Sequence, residues 1–534
     1  MEDIISNFSL PDLTEMLPSV ECCRAGGFGI IRDVKTCRRS KIPEIAPALT
    51  GVLAAFSFAG GLVALAADAA VSGSVCRRFE IGANANPTVV HIQRAMKAME
   101  DSSSNNPSTV RVLFYGQSIV AQGWTDVLMR MLKAKYPTVR FIAENRAIGG
   151  FEAPRLCRTA WSDIYPFYPD LLFFRCNGSI EKYEEIIRTV RSVTTAEIVL
   201  WSSHLRAGQD PAQSIAERDA RSIAIRDVAE RNGCMFVDLN LKWSRMLVEE
   251  GRTAASLLKD KVHLSEKSPA FEYYAGFIGE DLRRIPSCDG ETNICGTVLD
   301  IPFERSQSVC VSKNGSVVLR FIGNRVVAVF GAIASVGDTA RNQFAADVLL
   351  DGVPAANYRE MWYATRPSAL VSWMPMIFRV ASKSVPVAEK WTLTYLNGTD
   401  QYGNPVHYRV DGSITGYDGE GWSNEDFTSN SGRVAISKED CHFAWQYDYF
   451  MKRSKKGRSR SRLACPGQKV EWETKPLFAS PLTQGLKGDM AVVVQNCAIG
   501  SHVLELRPPS GKSVPRIERF IVHCPVQGHN DKWD

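Results

Sequence analysis

From Val110 onward the chain alternates short apolar runs with amphipathic stretches. VRVLFY (110–115), VRFIAE (139–144), DLLFFRC (170–176), EIVLWSS (197–203) and CMFVDL (234–239) read as strands. Their apolar runs are too continuous for a sheet with one wet face, so they predict a parallel sheet covered on both sides. Between them, Trp124, Val127, Leu128 and Met131 fall at i, i+3, i+4 and i+7. Ile180, Tyr183, Ile187 and Val190 form a second stripe of the same kind, and each stripe gives a helix one buried face. Pro211 is a start signal and Gly233 a stop signal for a longer helix. Residues 110–285 are therefore expected to form an α/β domain of three layers.

After Pro286 the texture changes. SVVLRFIG (316–323), RVVAVFGA (325–332), AADVLLDG (345–352), HVLELRPP (502–509) and IERFIVHC (517–524) are short strands bounded by Gly, Asn and Asp. They predict an all-β sandwich over 286–534, with 358–485 either a large insertion in it or a second small β unit. Upstream, 68–109 reads as a linker: NANPT and DSSSNNPST flank one short amphipathic helix, HIQRAMKAME. Residues 46–67 carry no charge and follow the basic KTCRRSK, the pattern of a signal-peptide h-region or a membrane anchor. Ala64 and Ala66 fit a small-residue cleavage site, and everything after Ala67 is expected outside: secreted, periplasmic or at the cell surface. Residues 1–45 are expected to be unstructured.

With 534 residues, 45% hydrophobic and 23% charged, the chain should hold two or three globular domains. The net charge of +5 is small for this length, and the basic run Lys452 to Arg462 reads as a solvated loop, so no nucleic-acid partner is expected. The 14 cysteines include no C-x-x-C pair beyond Ala67, and no cluster has metal-ligand spacing. No metal or other cofactor is called for. Cys288 and Cys295 are close enough in sequence to bridge a small loop of an exported protein. Asp411, Asp418 and Glu420 lie among glycines, in a stretch suited either to calcium or sugar binding or to an ordinary turn-rich loop. Trp362, Trp373, Trp422 and Trp445 are candidates either for stacking on sugars or for a β core.

An open parallel sheet binds ligands beyond the carboxyl ends of its strands, so the residues just past each strand carry the most information. The first strand leads into Gly116-Gln117-Ser118, the second into Asn145 to Gly150, the third into Asn177-Gly178, and the fifth, further on, into Asp260-Lys261-Val262-His263. These parts suit acyl transfer. Ser118 is a nucleophile once His263 takes its proton, and Asp260 can orient the imidazole. The Ser118 and Gly150 amides and the Asn177 side chain can stabilise the oxyanion. Each has a plainer reading too: Ser118 as a helix cap, Asn177-Gly178 as a turn that also matches a glycosylation sequon. His204 ends a strand as well but lacks a D-x-x-H partner, which favours a substrate contact or a structural hydrogen bond.

At these residues the chain resembles the SGNH (GDSL-like) hydrolase family, from Val110 to about Arg284. GQSIVAQGW is similar to its nucleophile block, NRAIGGF to its glycine block, FFRCNGS to its asparagine block and DKVHLSE to its Asp/His block. The resemblance implies a flavodoxin-like three-layer fold, Ser118 as nucleophile, Gly150 and Asn177 as oxyanion donors, and Asp260 with His263 completing the triad. Two positions depart from the family: Gln117 stands where an acidic residue precedes the serine, and Gly178 where an Asp follows the asparagine. Gly149 and Arg175 are alternatives for the two donors, and Gln117 and His204 are candidate substrate contacts. The C-terminal strands resemble jelly-roll modules found beside carbohydrate esterases. The expected function is that of an exported serine esterase acting on O-acyl esters, O-acetyl foremost, of a carbohydrate. The alternatives are a lipid or aryl esterase of the same fold, and a non-catalytic glycan-binding surface protein.

Overall fold

The five apolar runs of the first half are strands of one parallel sheet: β1 (Thr109–Gly116), β2 (Arg140–Asn145), β3 (Leu171–Arg175), β4 (Glu197–Trp201) and β5 (Met235–Val237), in the order β2-β1-β3-β4-β5. The computed structural model describes residues 86–526 except 287, 289–294, 334–336, 338–340, 368–374, 398–404 and 443–465. The candidate signal or anchor 46–67, the extension 1–45, the basic run 452–462, Trp373 and Trp445 lie outside the described residues.

Side chains alternate across the strands, and the alternation assigns two cores. Val112 and Phe114 of β1 and Leu171 and Phe173 of β3 pack under α1 (Gln93–Glu100), α2 (Trp124–Lys135), α7 (Leu239–Glu249) and α8 (Ala270–Gly279). Leu113, Tyr115, Leu172 and Phe174 pack under α3 (Ala153–Asp163), α4 (Ile180–Val193) and α6 (Ala220–Arg231). The single helix expected from Pro211 to Gly233 is two. α5 (Pro211–Glu217) ends at Arg218 in a left-handed conformation, and the Asp219 side chain caps the start of α6 through the Ser222 amide.

The described end of the segment read as a linker is packed structure. Val89, Ile92, Met96 and Met99 are buried in the first core, and the backbone amides of Arg94 and Ala95 donate to the buried Glu197 carboxylate at 2.9 and 2.7 Å. The polar Ser/Asn clusters flanking α1 suggested a tether, but the helix itself has an apolar face and docks it.

The second half is antiparallel. β6 (Thr297–Pro302), β7 (Val309–Val311), β8 (Val317–Phe330), β9 (Ala345–Leu350) and β10 (Val353–Pro354) precede a second sheet. That sheet is built from β11 (Trp362–Ala364), β12 (Glu389–Tyr395), β13 (His407–Gly412), β14 (Gly416–Trp422) and β17 (Lys469–Pro476), with β15 (Phe427–Thr428) and β16 (Ala435–Ile436) as a small ladder. The chain then returns as β18 (Leu482–Thr483), β19 (Met490–Arg507) and β20 (Ile517–Cys524) to complete an eight-stranded sheet with the path β10-β9-β19-β8-β20-β6. The five-stranded sheet is thus an insertion between β10 and β18. The two runs at 316–323 and 325–332 are one strand, β8. Gly323 suggested a break, but it is a close approach: a Cβ there would lie 2.3 Å from the His523 carbonyl oxygen.

Cys288 and Cys295 are buried and do not form a disulfide. The Cys295 thiol lies in the electrostatic surroundings of Arg191 and Cys234. The β part is fastened to the α/β part by charged pairs: Arg366 grips the buried Asp163 of α3 bidentately at 2.9 and 2.7 Å, and Arg158 of α3 does the same to the buried Asp440.

Candidate active site

The strand order reverses between β1 and β3, and such a switch point opens a crevice at the carboxyl ends of the two strands. Ser118 stands two residues beyond β1 and Asn177 two residues beyond β3. Gly116 lets these strands converge, because a Cβ there would lie 2.0 Å from the Arg175 carbonyl oxygen. α2 begins only at Trp124, capped by Gly123, so Ser118 is not a helix cap. It sits in a separate turn in which the Val120 and Ala121 amides donate to the Gln117 carbonyl at 2.8 and 3.1 Å.

The imidazole of His263 reaches this turn from the loop before α8. Its Nε2 lies 2.9 Å from Ser118 Oγ, and its Nδ1 lies 2.9 Å from Asp260 Oδ2. The other Asp260 oxygen accepts the Val262 and His263 amides at 2.8 and 2.7 Å. The three-residue spacing thus closes into a rigid loop in which the carboxylate serves both backbone and ring. Burial works against the charge, but those amides and the imidazole outweigh it and hold the Asp260 carboxyl down to about 2. An ionised Asp260 fixes Nδ1–H toward itself and leaves Nε2 as the acceptor for the serine proton.

The loop is anchored from below and beside. His204 is buried, tilted against Trp243 and edge-on to Tyr274, and burial lowers its pKa to about 4. It is therefore neutral, and its Nε2–H donates to the Val262 carbonyl at 2.7 Å. His204 is a support under the His263 loop rather than a substrate contact. Gln122 clamps the far side: its amide accepts from the Leu264 nitrogen at 3.1 Å and donates to the Leu264 oxygen at 3.0 Å. Gln117, the other candidate contact, is buried in the turn.

Among the described residues, the amides of Ser118, Gly149 and Gly150 donate to no protein acceptor. The glycine block is pinned by the Ile148 amide on the Gly116 oxygen at 2.8 Å and by Asn145, which donates to the Val120 oxygen at 2.8 Å. A Cβ on Gly149 would lie 3.8 Å from that of Ser118, while Gly150 takes φ +80°, which favours glycine. Asn177 directs Oδ1 toward Arg175 Nη2 at 3.5 Å, so its amide nitrogen faces away from that cation. Arg175 is buried and bonds Ser203 Oγ, and its Nε and Nη1 have no partner among the described residues. The glycine at 178 has a local cause. It adopts φ +94°, and a Cβ would meet that of Glu152 at 2.9 Å.

The structure therefore brings Ser118, His263, Asp260, the glycine pair and Asn177 to one edge. Gln122, Asn145 and Phe378 were not foreseen as parts of its frame. Phe378 comes from the β part and packs edge-on against Phe151, next to Gly150, at 5.4 Å. No spacing marks these residues, since each acts across a long sequence separation. Asp411, Asp418 and Glu420 do not converge: they bond Arg409, Ser431 and His407 respectively. Trp422 stacks on His407 at 4.4 Å.

Fold and site together define an α/β chain with a serine–histidine–aspartate relay at the switch point of a parallel sheet, followed by antiparallel sheets. The chain is similar in structure to an acetylxylan esterase of Geobacillus stearothermophilus, at 18% identity and TM-score 0.29 over 32% of this chain and 94% of that one. It is also similar to a two-domain esterase active on acetylated mannans, at 12% identity and TM-score 0.31 over 82% of this chain and 96% of that one. An acetyl xylan esterase, AlAXEase, matches at 19% identity and TM-score 0.28 over 32% and 98%. No protein-family model and no curated protein sequence matches. These likenesses are of fold. Among the described residues no helix is long and apolar enough to cross a membrane.

Proposed function

We propose that the chain is an SGNH-type carboxylic ester hydrolase that cleaves O-acyl esters, O-acetyl foremost, of a carbohydrate. The observation that carries this reading is the unbroken path from Ser118 Oγ through His263 to an ionised Asp260, beside backbone amides with no acceptor among the described residues. His263 Nε2 takes the Ser118 proton as Oγ bonds the ester carbonyl carbon. The oxyanion so formed is held by the amides of Ser118 and the glycine pair and by the Asn177 amide nitrogen. The imidazolium then gives its proton to the departing sugar oxygen as the C–O bond breaks. Water attacks the acyl-serine with His263 as base, releasing the carboxylic acid and restoring Ser118.

Asn145, Gly150, Glu152 and Lys261 around the site are exposed, which suits a small acyl group on a polar carrier better than a lipid. The uncharged segment 46–67 supports export, with either release or anchoring at the membrane. The test is turnover of p-nitrophenyl acetate and acetylated xylan by the full chain beside Ser118→Ala. Hydrolysis should fall to background in the variant, and equal rates would sink the assignment. A rate that climbs with acyl chain length would move the substrate class to lipids.

A further inference from the structure

An open groove of about 460 Å³ runs between the end of α3 and the β sheets, and none of its lining takes part in the ester chemistry. Arg379 lies over the face of Trp161 in this groove, with its guanidinium carbon 4.2 Å from the ring centroid. The neighbouring arginines have partners: Arg158 holds Asp440 and Glu439, and Arg359 holds Glu360 and the Ser382 carbonyl. Among the described residues neither Arg379 nor the side chain of the exposed Lys383 beside it in the groove makes a direct ion pair or hydrogen bond, and Asp440, already held by Arg158, acts on Arg379 only through space. Stacking on an indole fixes a guanidinium without using its N–H edge, so the donor fork is preset for a planar carboxylate. Trp362 and Tyr363 of β11 present half-buried rings to the same groove, and the Trp362 indole is held by the Ala356 carbonyl at 3.1 Å. An aromatic face suits the C–H side of a sugar.

We propose that this groove binds a carboxylated sugar, a uronic-acid unit of an oligosaccharide, with the carboxylate on Arg379 and Lys383 and the ring against Trp362 or Tyr363. Aromatic rings alone would fit any sugar. Two cations with no direct partner among the described residues select the acidic one, against the weaker pull of Asp440 on Arg379. The groove is tied to the catalytic edge through Phe378, which precedes Arg379 and packs on Phe151 beside Gly150. An acidic unit resting in the groove would belong to the same polymer whose ester reaches Ser118, and this second half of the inference depends on the esterase reading.

Calorimetry on the full chain carrying Ser118→Ala, so that nothing is turned over, separates the two halves. Trigalacturonic acid should bind at least about tenfold more tightly than neutral xylohexaose, a difference of about 1.4 kcal/mol. Arg379→Gln should remove that preference, and Lys383→Gln, on an exposed side chain that folding does not need, should weaken it. In the Ser118-containing protein both substitutions should leave p-nitrophenyl acetate turnover unchanged. Equal binding of the acidic and neutral sugars, or full binding retained in both variants, would overturn the proposal. Loss of p-nitrophenyl acetate turnover in the unsubstituted chain would count against the esterase reading alone, because the binding measurement does not depend on it.

Discussion

Asn177 shows how much one side chain depends on its immediate neighbours. An amide has two nearly equivalent ends, and the cation at Arg175 sets which faces the crevice, because the carbonyl end is drawn to the guanidinium. Asn177→Ala should therefore lower kcat on p-nitrophenyl acetate by roughly 10²–10³-fold with little change in KM, since the lost donor acts on charge that develops only in the transition state. Steady-state kinetics check this, and a change confined to KM would remove Asn177 from the oxyanion site. Asp260 makes a different point. Its carboxyl is held down to about 2, so it stays ionised across the neutral range and keeps its hold on the imidazole there. Ser118, Asp260 and His263 were legible in the sequence because strand ends and a fixed D-x-x-H spacing are local features. The orientation of Asn177 was not, since Arg175 and Ser203 meet only when β3 and β4 lie side by side.

Among elements, the decisive one is the loop between α7 and α8 that carries His263. It has no regular secondary structure at the histidine, and it is held by the Asp260 carboxylate inside it, Gln122 beside it and His204 beneath it. Removing Gln122 frees both backbone groups of Leu264 without touching a reacting atom. Gln122→Ala should therefore reduce kcat by about tenfold, roughly 1.4 kcal/mol, while the melting temperature stays within a few degrees. A thermal melt run beside the kinetics separates the two effects, and unchanged kcat would show the loop to be fixed without this clamp. The strands and most helices of this half were readable from apolar period. The break at Arg218 was not, because Asp219 as a cap competes with a continuous helical pattern. Glycines misled in the β part: Gly323 reads as punctuation, whereas in β8 it makes room for the backbone of β20.

On the scale of the whole molecule, buried and half-buried histidines shape how the fold responds to acid. Burial lowers His91, His204 and His442 to about 4, with Arg191 adding to the effect at His91 and Arg155 at His442. Between pH 6.5 and 4 the unfolded chain takes up protons at these positions that the folded chain refuses, so stability falls as pH falls through that window. The melting temperature should drop steadily from pH 6.5 to 4, and His91→Gln, away from the site, should flatten the slope. An unchanged slope in that variant would mean that His91 takes up its proton equally in the folded and unfolded chain.

The sequence by itself determined the alternation of strand and helix, the change to β structure after Pro286, and the residue types at the strand ends, because these depend on side-chain period and short spacings. Tertiary structure alone decided that those strand ends converge at a reversal of strand order and that a second sheet is inserted between β10 and β18. It also decided that α1 is part of the core and that His204 supports the His263 loop from below. Each of these depends on which distant segments share a surface, and packing settles that where local pattern does not.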